Sequence, residues 1–296
     1  MRKKTLPQRK FYTKDFFVKE KKILLDFLLE VYKEKSRSEV KSYLAHRQIS
    51  VNGKCVNAFD FHLQKGDNVR FSSTGEEKPN PNHKCRIVFE DDDIIVIEKK
   101  NGVLSMSNGT DGITTAYSLM MEHVRRRNRD NRVFIVHRLD RDTSGLMLLA
   151  KNQQSQEILQ SNWNENIISR KYIAVVEGGF TEKGGQIVSW LTESPKTLKM
   201  HSSPVDNGGK KAITNYMVLK SGEKYSLLEL ELETGRKNQI RVQLASVNHA
   251  VAGDKKYGAT ANPLKRICLH AKTLEFFHPR NKKKMSFDSG IPREFL

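Results

Sequence analysis

The sequence predicts an α+β protein in which a small α/β unit precedes a domain built on a large mixed, largely antiparallel sheet. Three observations carry that reading. Short β-branched and aliphatic runs recur through the last two thirds of the chain with few helical patterns between them. Residues 73–84, STGEEKPNPNHK, lack any apolar period and have the composition of a linker. At 296 residues the chain is long enough for two domains, each with its own core.

The elements follow in order. Residues 1–16 read as a basic arm, able to lie along phosphates or to stand in solvent without a role. Ile23, Leu24, Phe27, Leu28 and Val31 recur at helical spacing. Ser36 and Glu39 form a capping-box pattern that opens a second helix carrying Val40 and Leu44. ISVNGKCV, residues 49–56, alternates around Asn52-Gly53, a strong hairpin signal, and a strand over 68–71 follows Lys65-Gly66-Asp67. Past the linker, 86–89 and 94–97 read as consecutive strands parted by acidic turn residues. Helices are expected over 114–127 and 153–163. Apolar runs at 133–136, 146–150, 172–176, 214–219, 227–231 and 240–244 supply the rest of the sheet. The domains are therefore placed at 17–72 and 85–296.

Composition narrows the partner. Fifty-two Lys and Arg against 34 Asp and Glu leave a net charge of +18, which points to a polyanion, nucleic acid first. The positive residues are spread along the chain and line no single amphipathic helix, so membrane binding is not expected. Cys55, Cys85 and Cys268 are odd in number and far apart, which suits neither a disulfide framework nor a zinc knuckle and fits a reducing cytoplasm. Residues 1–10 are basic without the apolar stretch of a signal peptide, and no run of roughly 18 apolar residues occurs. A soluble cytoplasmic protein is expected, and a monomer, because so high a like charge opposes self-association.

The segment richest in chemistry is HRLDRDTSGLMLLAK, residues 137–151. A strand delivers charged residues into a polar turn, and Gly145 starts a second apolar strand, which would put the Asp140 carboxylate at a sheet edge among cations. On spacing alone, Asp140 and Asp142 fit a turn cap and a surface ion pair equally well.

That segment resembles the signature of the RluA-type pseudouridine synthases. Five further blocks occur in the family's order: DDDIIVIEKKNGV, SRKYIAVVEG, KKAITNYMVL, LELETGRKNQIRVQLASVNHAVAGDKKYG and LHAKTLEFFHP. Together they span about residues 86–279. Residues 17–71, with their basic helix pair, ISVNGKCV and KGDNVRF, resemble the S4-type RNA-binding domain that precedes the catalytic domain in many members. The resemblance implies the pseudouridine synthase fold and an RNA substrate. It also implies that Arg37, Lys41 and Arg47 face phosphates, although a solvated helix face would look the same.

Converting uridine to pseudouridine breaks the bond from ribose to uracil nitrogen, turns the base and rejoins it through carbon 5. No atom enters or leaves, so no cofactor, metal or second substrate is expected, and the sequence carries neither a glycine-rich phosphate loop nor a His/Cys ligand cluster. The reaction does need an ionised carboxylate beside the sugar, either to attack or to stabilise a cationic or glycal-like intermediate. The resemblance assigns that role to Asp140 and pairs it with Arg241, since a carboxylate in a dry pocket needs a neighbouring cation to stay ionised. Arg236 is the reserve, to hold phosphate or orient Arg241. Tyr172 is implied to stack on uracil and help remove the carbon-5 proton; without the motif it reads equally as a half-buried strand aromatic. Arg138 is implied to fill the gap left by the everted uridine, while His137 binds beside it or only shapes the turn.

The chain departs from the family's pattern in several places. Lys100 replaces a proline, Lys237-Asn238 a Thr-His pair, Gln243 a frequent His, and GDKKYG lacks its usual proline. None is expected to touch the carboxylate, the tyrosine or the paired arginine. Large-subunit ribosomal RNA is the preferred substrate, with transfer RNA and a non-catalytic RNA-binding or ribosome-assembly role as alternatives. A metal nuclease using Asp140 and Asp142 is disfavoured, because no further carboxylates cluster nearby in sequence.

Overall fold

The structure, a computed structural model, describes residues 13–45, 48–52, 54–72, 84–107, 113–161 and 163–296. The chain divides into two compact units, Met1–Asn82 and His83–Leu296. Arg47, most of the basic arm and nearly all of residues 73–84 lie outside the described residues.

In the first unit the strands are β1 (Thr13–Phe17), β2 (Lys22–Ile23), β3 (Ile49–Val51), β4 (Lys54–Cys55), β5 (His62–Leu63) and β6 (Asn68–Ser72), with helices α1 (Leu24–Val31) and α2 (Arg37–Ala45). Four strands form one sheet in the order β1-β6-β3-β4, and β2 pairs with β5. Leu24, Leu25, Phe27 and Leu28 of α1 and Val40 and Leu44 of α2 pack on Ile49, Val51, Val69 and Phe71. Burying each such side chain contributes about 1.5–3 kcal/mol. The capping box at the head of α2 is formed: Glu39 N–H donates to Ser36 Oγ and Ser36 N–H to the Glu39 carboxylate. Asn52 has φ +50°, and its side chain bonds Asp67 and the Asn68 N–H, which ties the hairpin to β6.

One expectation fails here. Residues 13–16, read as the end of an arm, belong to a strand, Thr13–Phe17, running antiparallel along β6, with Asp15 paired to Arg70 at 2.8 Å. Phe17 is 69% exposed, so no apolar alternation marks the strand. Its backbone bonds to the edge of β6 hold it where burial would hold another strand.

The second unit contains the strands β7 (Cys85–Glu90), β8 (Ile94–Lys99), β9 (Phe134–Ile135), β10 (Ser144–Ala150), β11 (Ile167–Glu177), β12 (Gly184–Glu193), β13 (Met200–Ser203), β14 (Lys210–Ser221), β15 (Tyr225–Leu232), β16 (Leu269–Phe277) and β17 (Lys284–Asp288). Its helices are α3 (Ala116–Arg127), α4 (Gln153–Ser161), α5 (Trp163–Asn166) and α6 (Gln239–Ser246). One mixed sheet runs β13-β12-β14-β15-β11-β16-β10-β8-β7, with β17 added to β16 and β9 to β10. Among the described strands, only β10 and β16 pair in parallel.

The middle of the sheet is buried on both faces, which explains its unbroken apolar runs. Ile95 and Ile97 of β8 and Met147 and Leu149 of β10 join one core, closed by Met120 and Val124 of α3 and by Ile240 and Leu244 of α6. Ile94, Val96, Leu146 and Leu148, the alternate residues, join a second core with Leu159 of α4 and Phe276.

Two differences from the sequence reading matter for the site. The run 240–244 is helix and not strand; its polar members Arg241 and Gln243, like Gln239 just before it, are buried and satisfied by side-chain partners, which removes the amphipathic pattern. Strands β12, β13, β16 and β17 gave no clear signal, since β12 and β17 are mostly polar and half-exposed.

Glu90, at the end of β7, joins three elements. It binds His123 of α3 at 2.7 Å, Lys151 after β10 at 2.8 Å and Arg127 at 3.3 Å. Burial alone would raise its pKa, but the hydrogen bonds from His123 and Lys151 and the nearby charges hold the carboxyl down at about 2, against 4.5 normally. A lowered folded-state pKa adds stability above the unfolded value and loses it as pH falls toward the folded one. Acid unfolding should therefore take up about 3 kcal/mol between pH 4.5 and 2 through this group. Urea melts across that range should show a flatter acid limb and lower neutral stability in Glu90→Gln; an unchanged limb would mean that other carboxylates set the acid response.

Candidate active site

The turn carrying Asp140 lies at the head of β10, an interior strand between β8 and β16, and not at a sheet edge. Three features hold it. Lys99, fully buried, donates its ammonium to Arg141 O at 3.1 Å, Thr143 O at 2.6 Å, Val103 O at 2.8 Å and Lys100 O at 3.2 Å. Burial pushes the Lys99 amine down to about 8. Ser105 Oγ donates to Leu139 O at 2.7 Å and accepts from Leu139 N–H at 3.1 Å. Gly145 has φ +114°, and a Cβ there would stand 2.2 Å from Ala271 O of β16; only glycine permits that approach.

Asp140 Oδ2 accepts from Asn238 Nδ2 at 2.6 Å and from Arg241 Nη1 at 3.1 Å. Behind it, Arg241 is clamped by the fully buried Asp254 through Nε–Oδ2 at 2.6 Å and Nη2–Oδ1 at 2.9 Å. Burial disfavours the Arg241 charge, but the paired bonds to Asp254 and the Asp140 carboxylate outweigh it and raise its pKa. The guanidinium is thus a permanent cation. Asp254 takes two of its N–H groups, and Asp140, 30% exposed, takes one and stays open to the cleft.

That cleft is a cavity of about 680 Å³ bordered by Asp140, Arg138, Tyr172, Arg170, Arg236 and Asn238, among others, within the size range of small-molecule sites. Tyr172 is buried on β11, where the pairing with β16 slips between Lys171 and Tyr172. Such an irregularity re-aims a side chain. Burial pushes the Tyr172 phenol pKa up, so the hydroxyl is neutral. Arg170, two residues earlier on the same strand face, lies over the Trp163 ring at 5.4 Å and reaches Leu232 O at 3.4 Å; burial lowers its pKa. A Cβ on Gly235 would come within 2.8 Å of its Nη1, the far end of a flexible side chain. Sequence reasoning passed over Arg170, though its i−2 spacing from Tyr172 was a usable signal.

The remaining residues divide. Arg138 is exposed, borders the cavity and has no bonded partner among the described residues. His137 borders it too, but its Nε2 accepts from Leu148 N–H at 3.0 Å and burial pushes its pKa to about 3, so the ring is a neutral brace on β10. Arg236 Nε donates to Lys211 O at 3.1 Å. Arg37 and Lys41 are exposed on α2 of the first unit, Lys41 lying 5.1 Å over the Phe59 ring. Asp142 pairs with Arg141 at 3.3 Å. Gln243 is a buried bridge to Thr214, Ser189 and Ala212 O. The departure at Asn238 does touch the carboxylate, contrary to expectation, because α6 starts there and aims the amide at Asp140.

A grouping of possible metal ligands, Asp91, Asp93 and His278, sits at the far end of β8 from Asp140. Arg280 and Asn152 already bind Asp93, and His278 binds Asp91. No helix among the described residues is long and apolar enough to cross a membrane.

The fold is shared with solved pseudouridylate synthases. The human RNA pseudouridylate synthase domain containing 4 superposes with a TM-score of 0.57 over 71% of this chain and 89% of its own, at 21% identity, a likeness of architecture alone. Sequence is more specific. The profile described as RNA pseudouridylate synthase matches residues 93–246. The uncharacterized RNA pseudouridine synthase YlyB of Bacillus subtilis is 33% identical over 90% of both chains. The ribosomal large subunit pseudouridine synthase D of Pasteurella multocida is 31% identical over 91% of this chain and 87% of its own. The chain belongs to the RNA pseudouridylate synthase family and is an isomerase acting on RNA.

Lys99→Met should leave Arg141 O and Thr143 O without their buried donor, at about 1–3 kcal/mol each. A lowered urea midpoint is the expected result; a native midpoint would mean the turn is held by other groups.

Proposed function

We propose that this enzyme isomerises uridines of large-subunit ribosomal RNA in the cytoplasm, as a monomer without cofactor, with Asp140 as the reacting carboxylate. The observation that carries the reading is an open carboxylate bonded to a buried guanidinium, beside a buried tyrosine at one cavity. Arg241 holds the Asp140 carboxylate by a charge-assisted hydrogen bond at the cavity wall, so the carboxylate can attack the sugar or stabilise the positive charge that develops as the glycosidic bond breaks. The detached uracil turns and rejoins through carbon 5. Tyr172 stacks on it, and its neutral hydroxyl helps pass on the carbon-5 proton. Eversion of the nucleotide costs roughly a few kcal/mol, which Arg138 offsets by filling the vacated stack.

The name of the Pasteurella relative supports a ribosomal substrate over transfer RNA, and the +18 charge suits a large folded RNA. Arg37 and Lys41, exposed on one helix, fit phosphate contacts.

Tritium release from carbon-5-labelled ribosomal RNA is expected with the native protein and absent with Asp140→Asn, while RNA affinity changes little. Release by the variant would reject the carboxylate's role, and equal release from labelled transfer RNA would reject the substrate preference. Replacing Arg37 and Lys41 by alanine should lower the slope of log affinity against log salt by roughly 0.9 for each phosphate no longer neutralised; a native slope would remove them from the interface.

A further inference from the structure

We propose that Asn238 and Tyr257 are positioning residues that fix which oxygen of Asp140 faces the nucleoside, an inference resting on the reading of Asp140 given above. Donors and acceptors alternate along a single chain of hydrogen bonds that ends on the carboxylate. Met200 N–H of β13 donates to Tyr257 Oη at 3.2 Å. Tyr257, 7% exposed, donates its own proton to Asn238 Oδ1 at 3.0 Å. Asn238 Nδ2 then donates to Asp140 Oδ2 at 2.6 Å. Each link sets the polarity of the next, because a backbone N–H can only donate, a hydroxyl that accepts it turns its hydrogen elsewhere, and an amide oxygen held there leaves the NH₂ on the carboxylate. A flipped amide would face oxygen against carboxylate oxygen.

The result is asymmetric. Asp140 Oδ2 is held by Asn238 and Arg241, whereas Oδ1 accepts no hydrogen bond from any described residue. The oxygen left for chemistry is therefore Oδ1. Arg241 could not select it alone, since a single N–H at 3.1 Å tolerates rotation of the carboxylate. The Tyr257 ring completes the unit, with the Arg241 guanidinium 5.2 Å from its centroid.

Position 238 makes two demands. Its backbone is left-handed, φ +52° and ψ 24°, at the entry to α6, a conformation that among non-glycine residues favours Asn, Asp and His. It must also carry an N–H. Asparagine and the histidine that the family pattern commonly carries there meet both, and aspartate meets only the first.

The test is single-turnover tritium release with saturating ribosomal RNA, together with RNA affinity, in four full-length variants. Asn238→Gly keeps the backbone conformation and removes the donor; the rate should fall about 10- to 100-fold, the loss of one hydrogen bond to a charged group, with affinity within about twofold. Tyr257→Phe removes one hydroxyl and should cost less, about 3- to 10-fold. Asn238→His restores a donor and should recover most of the rate. Asp140→Asn is the control. A native rate in both Asn238→Gly and Tyr257→Phe, with Asp140→Asn inactive, overturns the positioning role alone, and so does an Asn238→His as slow as the glycine variant. Release by Asp140→Asn overturns the underlying reading of the carboxylate instead. If Asn238→Gly melts at a lower temperature, the Tyr257→Phe rate decides.

Discussion

The site depends on one buried guanidinium held between two carboxylates. Arg241 is paired twice by Asp254, which is fully buried, and once by Asp140. Taking these charges out of water costs several kcal/mol per ion, and bidentate geometry offsets that only if every N–H is used well. Removing one partner from such an arrangement typically costs about 3–5 kcal/mol, because an unpaired charge is left behind. The arrangement also divides the labour: Asp254 satisfies the arginine, so Asp140 is oriented without being fully consumed.

From that constraint the surrounding structure follows. Residues 239–246 must be helical for Arg241 to reach inward while Ile240 and Leu244 close the core. The parallel pairing of β10 with β16 brings Gly145 against Ala271, an approach that any side chain at 145 would block. Lys99 gathers the carbonyls of the Asp140 turn as a metal ion would in another protein, with a compact point charge. Within the turn, Thr143 N–H donates to Asp140 O at 3.2 Å. The turn is also held by residues 34 to 44 positions away in the chain.

Much of this was legible in the chain. The capping box at Ser36 and Glu39, the turn at Asn52, the buried strands 94–97 and 146–150 and the helix over 116–127 all carry local signals of period or turn chemistry, because each depends on neighbours a few residues apart. Asp140, Arg241 and Tyr172 were singled out through resemblance, since spacing alone left Asp140 and Asp142 equally readable as a turn cap and a surface ion pair. Strand β1, strands β12 and β17 and helix α6 were misread or missed for a common reason. Their stability comes from partners far along the chain, and in α6 buried polar side chains erase the amphipathic stripe.

By itself the sequence determined the kind of protein and the chemical groups available to it, since composition, turn residues and ordered motifs are properties of the linear chain. Only the tertiary structure decided which groups meet. Asn238 and Asp140 lie 98 residues apart, and Tyr257 lies 19 beyond Asn238. No local periodicity encodes such pairings, because a hydrogen bond between distant residues depends on how the intervening sheet is ordered and paired. An asparagine that looked like a neutral departure in the chain thus becomes, once folded, a hydrogen-bonded neighbour of the Asp140 carboxylate.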